Sequence, residues 1–119
     1  MAIKNYKELD VWNKAMALTN LIYDVTSDFP KSEIYGLANQ MRCAAISIPS
    51  NIAEGSAHEN KPEFSRFINI ARGSLAELEN QIILACGRKY IISKNNEDLA
   101  NLSNDISRML VRLLQSIKA

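Results

Sequence analysis

Few residues in this chain could do chemistry. His58 is the one histidine, and Glu54 stands four positions before it with Gly55 between them. A di-iron carboxylate bundle needs paired Glu-x-x-His elements on facing helices, which a single histidine cannot supply. Two isolated cysteines, Cys43 and Cys86, cannot build a zinc site. Both sit in apolar helical patterns and read as buried, reduced thiols. Glu77 and Glu79 are two apart, so they leave a helix on different sides and cannot act directly as a dyad. The sequence contains no phosphate-cradling glycine loop and no nucleophile elbow. The expectation is a non-catalytic protein with no metal, cofactor or small-molecule substrate.

Two other sets of polar residues remain. Gln40, Ser47, Asn51 and Glu54 follow one flank of a helical pattern that carries a single charge, Arg42, between Ile34 and Ala53. Ser74, Glu77 and Glu79 stand on the next pattern. Such a row is either a packed, hydrogen-bonded interface or a ligand groove, in which case Glu54 and Glu77 would be the residues of an enzyme. The second set is cationic: Arg88 and Lys89 close the third pattern, Lys94 follows, and Arg108 and Arg112 are i, i+4 on the fourth beside Asp105. Cations of this kind either complement a helix C-terminus or contact phosphate. Each subunit would neutralise only a few phosphates, so binding would gain from repetition of the patch around an oligomer.

Four periodic segments must position these residues, over about 8–27, 33–54, 62–86 and 96–117. Pro30 stops the first, Ser32 can cap the second, Pro62 suits the opening turn of the third, and Asn95 or Asn96 can cap the fourth. Pro49 inside the second segment removes a donor and predicts a kink, and Gly55 reads as its left-handed terminator. Gly87 closes the third segment in the same way. Long helices on short connections predict an all-α, antiparallel up-down-up-down four-helix bundle in one domain spanning 1–119.

Phe64, Ile68, Ala71, Leu75, Leu78 and Ile82 form one core stripe, and Leu99, Leu102, Ile106, Met109, Leu110 and Leu113 another. The first segment is different. Its apolar residues, from Leu9 and Trp12 through Met16 to Tyr23, spread over roughly 240° of arc, more than one bundle core can bury. The second segment has the stripe Ile34, Leu37, Met41, Ala45, Ile48 and Ile52 and, behind it, small neutral residues where a solvated helix would carry Lys and Glu. Such faces tolerate close approach of another subunit without desolvating charge. A homo-oligomer formed through the first two helices follows, with a protein-interaction scaffold lacking any nucleic-acid partner as the alternative.

Composition narrows the class. The 119 residues are 47% apolar and 23% charged with a net charge of +1, which argues against a surface basic throughout. No apolar run reaches the roughly 20 residues of a membrane span, and the first ten residues are too charged for a signal peptide. A cytoplasmic location is expected.

The strings ELDVWNKAMAL, DFPKSEIYGLANQMRCAAISIPSNIAEG and FSRFINIARGSLAELENQI cover much of the chain. They resemble the 23S rRNA intervening-sequence-encoded protein family of bacterial four-helix bundles. That family also looks like the accessory variability protein of diversity-generating retroelements. The resemblance implies a small cytoplasmic bundle that assembles as a ring of five, without known catalysis and with a nucleic-acid-related role. Gln40, Arg42, Asn51, Glu54, Ser74, Glu77 and Glu79 match the family's polar signature by position, with no role attached to any of them.

Overall fold

Asp28-Phe29-Pro30 divides the first two helices, and the side chains before it finish the first. In the computed structural model, which describes residues 5–118, Thr26 Oγ1 donates to the Ile22 carbonyl at 2.6 Å and Ser27 Oγ to that of Tyr23 at 2.7 Å. The Tyr23 carbonyl also accepts the Ser27 amide at 3.1 Å, so these hydroxyls add a second donor to the carbonyls of the last turn. The elements are α1 (Asp10–Thr26), α2 (Leu37–Ser56), α3 (Lys61–Gly87) and α4 (Ser93–Lys118), with short 3-10 turns at Tyr6–Glu8 and Lys31–Glu33.

Each helix packs on two others in the cyclic order α1, α2, α3, α4, and the diagonal pairs do not approach. Cross-helix contacts place Thr19 beside Ala45 and Thr26 beside Arg42. They also set Ser47 against Ser74, and Gly55 against Phe64 and Phe67. Numbers rise on one helix as they fall on its neighbour, so these pairs run antiparallel. The core is continuous along the four helices, with Leu18, Ile22, Met41, Ile48, Ile52, Ile68, Leu78, Leu99, Ile106 and Leu110 fully buried. Each such side chain contributes about 1.5–3 kcal/mol by leaving water.

Several expectations about helix ends are corrected. Ser32 does not cap α2. Residues 31–33 form a 3-10 turn, Gly36 is the capping residue, and Ile34 points outward at 52% exposure instead of joining the core stripe. Glu33 serves that end, accepting the Leu37 amide at 3.3 Å on Oε1 and the Tyr90 hydroxyl at 3.1 Å on Oε2. α4 starts at Ser93, so Asn95 and Asn96 lie within its first turn and are not its cap. Asn60 caps α3 by accepting the Glu63 amide at 3.0 Å, just before Pro62. Arg66 then forks the Glu63 carboxylate at 3.1 and 3.3 Å, and this hydrogen bonding lowers the carboxyl below its ordinary pKa.

The two glycine terminators are also corrected. Gly55 is buried inside α2 and has no positive φ. A Cβ there would lie 2.8 Å from Phe67 Cβ and 3.1 Å from Phe64 Cδ1, so the glycine serves close helix approach. Gly87 is the last residue of α3, and the left-handed position falls two residues later on Lys89, at φ 65°. The Lys89 amide donates to Cys86 O at 2.9 Å and that of Tyr90 to Ala85 O at 2.9 Å. These two bonds make a complete Schellman motif.

Candidate functional site

The polar row of α2 faces α3 over its middle turns. Ser47 Oγ and Ser74 Oγ lie 2.8 Å apart, and Asn51 Nδ2 donates to Ser47 O at 2.7 Å and to Ser47 Oγ at 2.9 Å. This part of the row is therefore packed and internally bonded. Gln40 and Glu54 are exposed toward either end of it. At 1.5 Å rise per residue, Glu54 and Glu77 are offset by about 15 Å along the two helices, too far to act on one atom. Glu77 is exposed, and Glu79 lines clefts on the α4 side of α3. The seven residues of the polar signature, together with Ser47, do not form one site.

Arg42 belongs to another contact. Its Nε donates to Thr26 Oγ1 at 2.8 Å, one Nη to the Tyr23 carbonyl at 3.4 Å, and its guanidinium stacks 4.7 Å from the Tyr23 ring centroid. The one charge in the body of α2 thus neutralises the C-terminal end of α1.

Pro49 leaves the Ala45 carbonyl without its intrahelical donor. α2 nevertheless continues unbroken through it. Thr19 Oγ1, buried on α1, lies 3.1 Å from Ala45 O and 2.8 Å from Ala15 O, so its one proton is shared between them. The donor that Pro49 lacks is thereby supplied by a residue that the sequence did not single out. Thr19 falls on the buried α1 face one turn after Ala15, and an isolated hydroxyl at such a spacing is the only signal it gives.

The outer side of the α1–α2 pair forms an apolar groove lined by Tyr6, Trp12, Met16, Thr19, Ile46, Pro49, Ser50 and Ala53. The 3-10 turn at Tyr6–Glu8 brings the Tyr6 ring edge-on to Trp12, with centroids 5.3 Å apart, and Asn5 caps that turn through the Lys7 amide at 2.9 Å. Met16, Tyr23 and Ile46 remain 36–40% exposed along the two helices. No acid or base lines the groove. Cys43, expected in the core, is exposed on α2, while Cys86 is partly buried, and neither forms a disulfide.

The five cations fall in two places. Arg88, Lys89 and Lys94 surround the α3–α4 connection, whereas Arg108 and Arg112 lie about 21 and 27 Å from Lys94 along α4. Lys94 pairs with Asp98 at 3.0 Å and Arg108 with Asp105 at 2.7 Å. Asp105 also holds Lys14 at 3.2 Å. Arg88 leans toward the Tyr90 ring, and Lys89 and Arg112 make no ion pair among the described residues. Within one subunit the basic residues make separated clusters. Two buried polar residues were also missed: Gln81 and Ser103, whose Oε1 and Oγ lack partners. Gln81 lies two turns beyond Ser74, and that spacing was readable.

The fold and its surfaces define a small four-helix bundle with a bonded polar seam and an apolar outer groove, and with no cluster of metal ligands among the described residues. The chain belongs to the 23S rRNA-intervening sequence protein family, whose model matches residues 7–112. Its fold is similar to the crystal structure of a protein of unknown function from the S23 ribosomal protein family of Bacteroides thetaiotaomicron. That likeness has a TM-score of 0.81 at 22% identity and covers 88% of this chain and 95% of the other. No curated protein matches the sequence.

Proposed function

We propose that this protein is a non-catalytic assembly subunit that associates with its own copies through the α1–α2 face. Once multiplied, its weak cationic clusters contact nucleic-acid phosphate. The observation that carries the reading is the uncharged α1–α2 groove, with Met16 and Ile46 more than a third exposed beside it. Burying such a face releases apolar surface from water without desolvating charge. With extents of 44 × 25 × 20 Å, one long face of the bundle offers on the order of 1,000 Å², comparable to one side of a standard interface. A ring of five, as the family resemblance implies, is the form to test. The free thiols support a reducing compartment such as the cytoplasm. No helix among the described residues is long and apolar enough to cross a membrane.

Light scattering on the purified chain should return a multiple of 13.3 kDa. Met16→Glu with Ile46→Lys should reduce it to the monomer while far-ultraviolet dichroism keeps its helical amplitude. A wild-type monomer would overturn the assembly reading. For the nucleic-acid part, a fluorescent RNA should bind at low salt with affinity that falls steeply as salt rises. Arg88→Ala with Arg112→Ala should then reduce the log–log salt slope by about 1–2. No binding at low salt leaves an assembly scaffold without a nucleic-acid partner.

A further inference from the structure

The α3–α4 seam contains a cleft with a buried, unpaired hydroxyl. Its apolar walls are Ile82, Ile83 and Ala100, and Glu79, Ser103 and Asn104 supply the polar lining. Ser103 is 3% exposed, yet its Oγ has no hydrogen-bond partner. A helical serine ordinarily returns its proton to the carbonyl one turn back, and a buried hydroxyl left unpaired is disfavoured. Glu79, partly buried, and Asn104, exposed, make no hydrogen bond or ion pair among the described residues, which leaves both open to a ligand. The contrast with the α2–α3 seam, where Ser47, Asn51 and Ser74 bond to one another, is direct. The cleft holds about 130 Å³, where one water needs roughly 10–15 Å³ on the same measure. It has room for a group of several atoms.

A carboxylate, a hydroxyl and an amide oxygen offer acceptors above an aliphatic wall. The complementary ligand is a cation with several donors, a weakly hydrated head and a short apolar neck. A guanidinium meets this better than an ammonium, because its flat fork can pair with a carboxylate and still donate elsewhere. We propose that the α3–α4 cleft binds an alkylguanidinium group, with Glu79 pairing the charge, Ser103 and Asn104 accepting further N–H donors, and Ile82, Ile83 and Ala100 covering the alkyl neck. Two sources carry that chemistry, an arginine side chain of a polypeptide and a free guanidine.

The test follows amide resonances of the full chain titrated with butylguanidinium, with neutral isosteric butylurea, and with a short peptide centred on one arginine. Butylguanidinium should move the amides of Glu79, Ala100, Ser103 and Asn104, and butylurea should not. Glu79→Gln, which preserves volume, should weaken binding at least tenfold, and Ala100→Leu should abolish it by filling the cleft. Ser103→Ala should weaken binding without lowering the unfolding midpoint, which separates ligand contact from fold support. A peptide that binds more tightly than butylguanidinium assigns the cleft to a partner's arginine, and equal affinity assigns it to a free guanidine. Absence of shifts with both cations, equal shifts with butylurea, or indifference to Glu79→Gln would overturn the proposal.

Discussion

Lys89 holds a backbone conformation that side chains other than glycine adopt at a cost of roughly 1–2 kcal/mol, and the Schellman bonds of Tyr90 and Lys89 keep it there. Lys89→Gly should therefore raise stability by about 0.5–1 kcal/mol after the added freedom of the unfolded chain is subtracted. Denaturant unfolding would register this as a higher midpoint with an unchanged slope. Thr19 and Pro49 form a second residue-scale unit. Thr19→Val should destabilise by about 1–3 kcal/mol because the Ala45 carbonyl then has no donor. In a Pro49→Ala background residue 49 regains an amide for that carbonyl, so the same valine should cost less, and a double-mutant cycle measures the difference. Neither unit was readable from local preference. Glycine's usual place after a helix pointed to Gly87, but Gly87 is still helical and the left-handed turn falls on Lys89, and the partner of Pro49 lies 30 residues away in sequence.

At the scale of the element, glycines of the same helical type have opposite roles. Gly55→Ala should destabilise by about 1–3 kcal/mol despite alanine's better helix propensity, since the added methyl meets Phe67 and Phe64. Gly73→Ala, with nothing within 4 Å of the new methyl, should stabilise by about 0.5–1 kcal/mol. Thermal unfolding of the two variants side by side checks both signs. Helical periodicity did reveal the buried stripes of α3 and α4, because their core and solvent sides differ sharply in polarity. It did not reveal the start of α2. Lys31–Glu33 turns as a 3-10 segment, so Ile34 leaves the phase of Leu37, Met41 and Ile48 and goes to solvent. For the candidate site, the Ser47–Asn51 spacing was visible in sequence. Which neighbouring helix the row faced required tertiary packing, and that packing set Arg42 and Glu79 of the polar signature apart from it.

In the whole molecule, apolar excess and charge scarcity on α1 and α2 converge on one outer face, and the cations separate into clusters. The first property was visible as composition around two helical circumferences. The second depends on pairings such as Lys94–Asp98 and Arg108–Asp105 that reduce the free charge of each cluster. If the α1–α2 face assembles, dilution should lower the unfolding temperature of the wild type, and Met16→Glu with Ile46→Lys should lose that concentration dependence.

The proton that Thr19 shares between two helices bears on slippage. A bundle seam of isoleucine, leucine and alanine tolerates a shift of one turn with little loss of burial. Sliding α1 by that amount would bring Ala15 or Tyr23 opposite Ala45, and neither carries a short hydroxyl at the helix surface. The shifted pairings would each strand a carbonyl that the native one serves. A proline and a threonine on opposite helices thus act as a key for alignment, selecting one phase among several that greasy packing alone would accept.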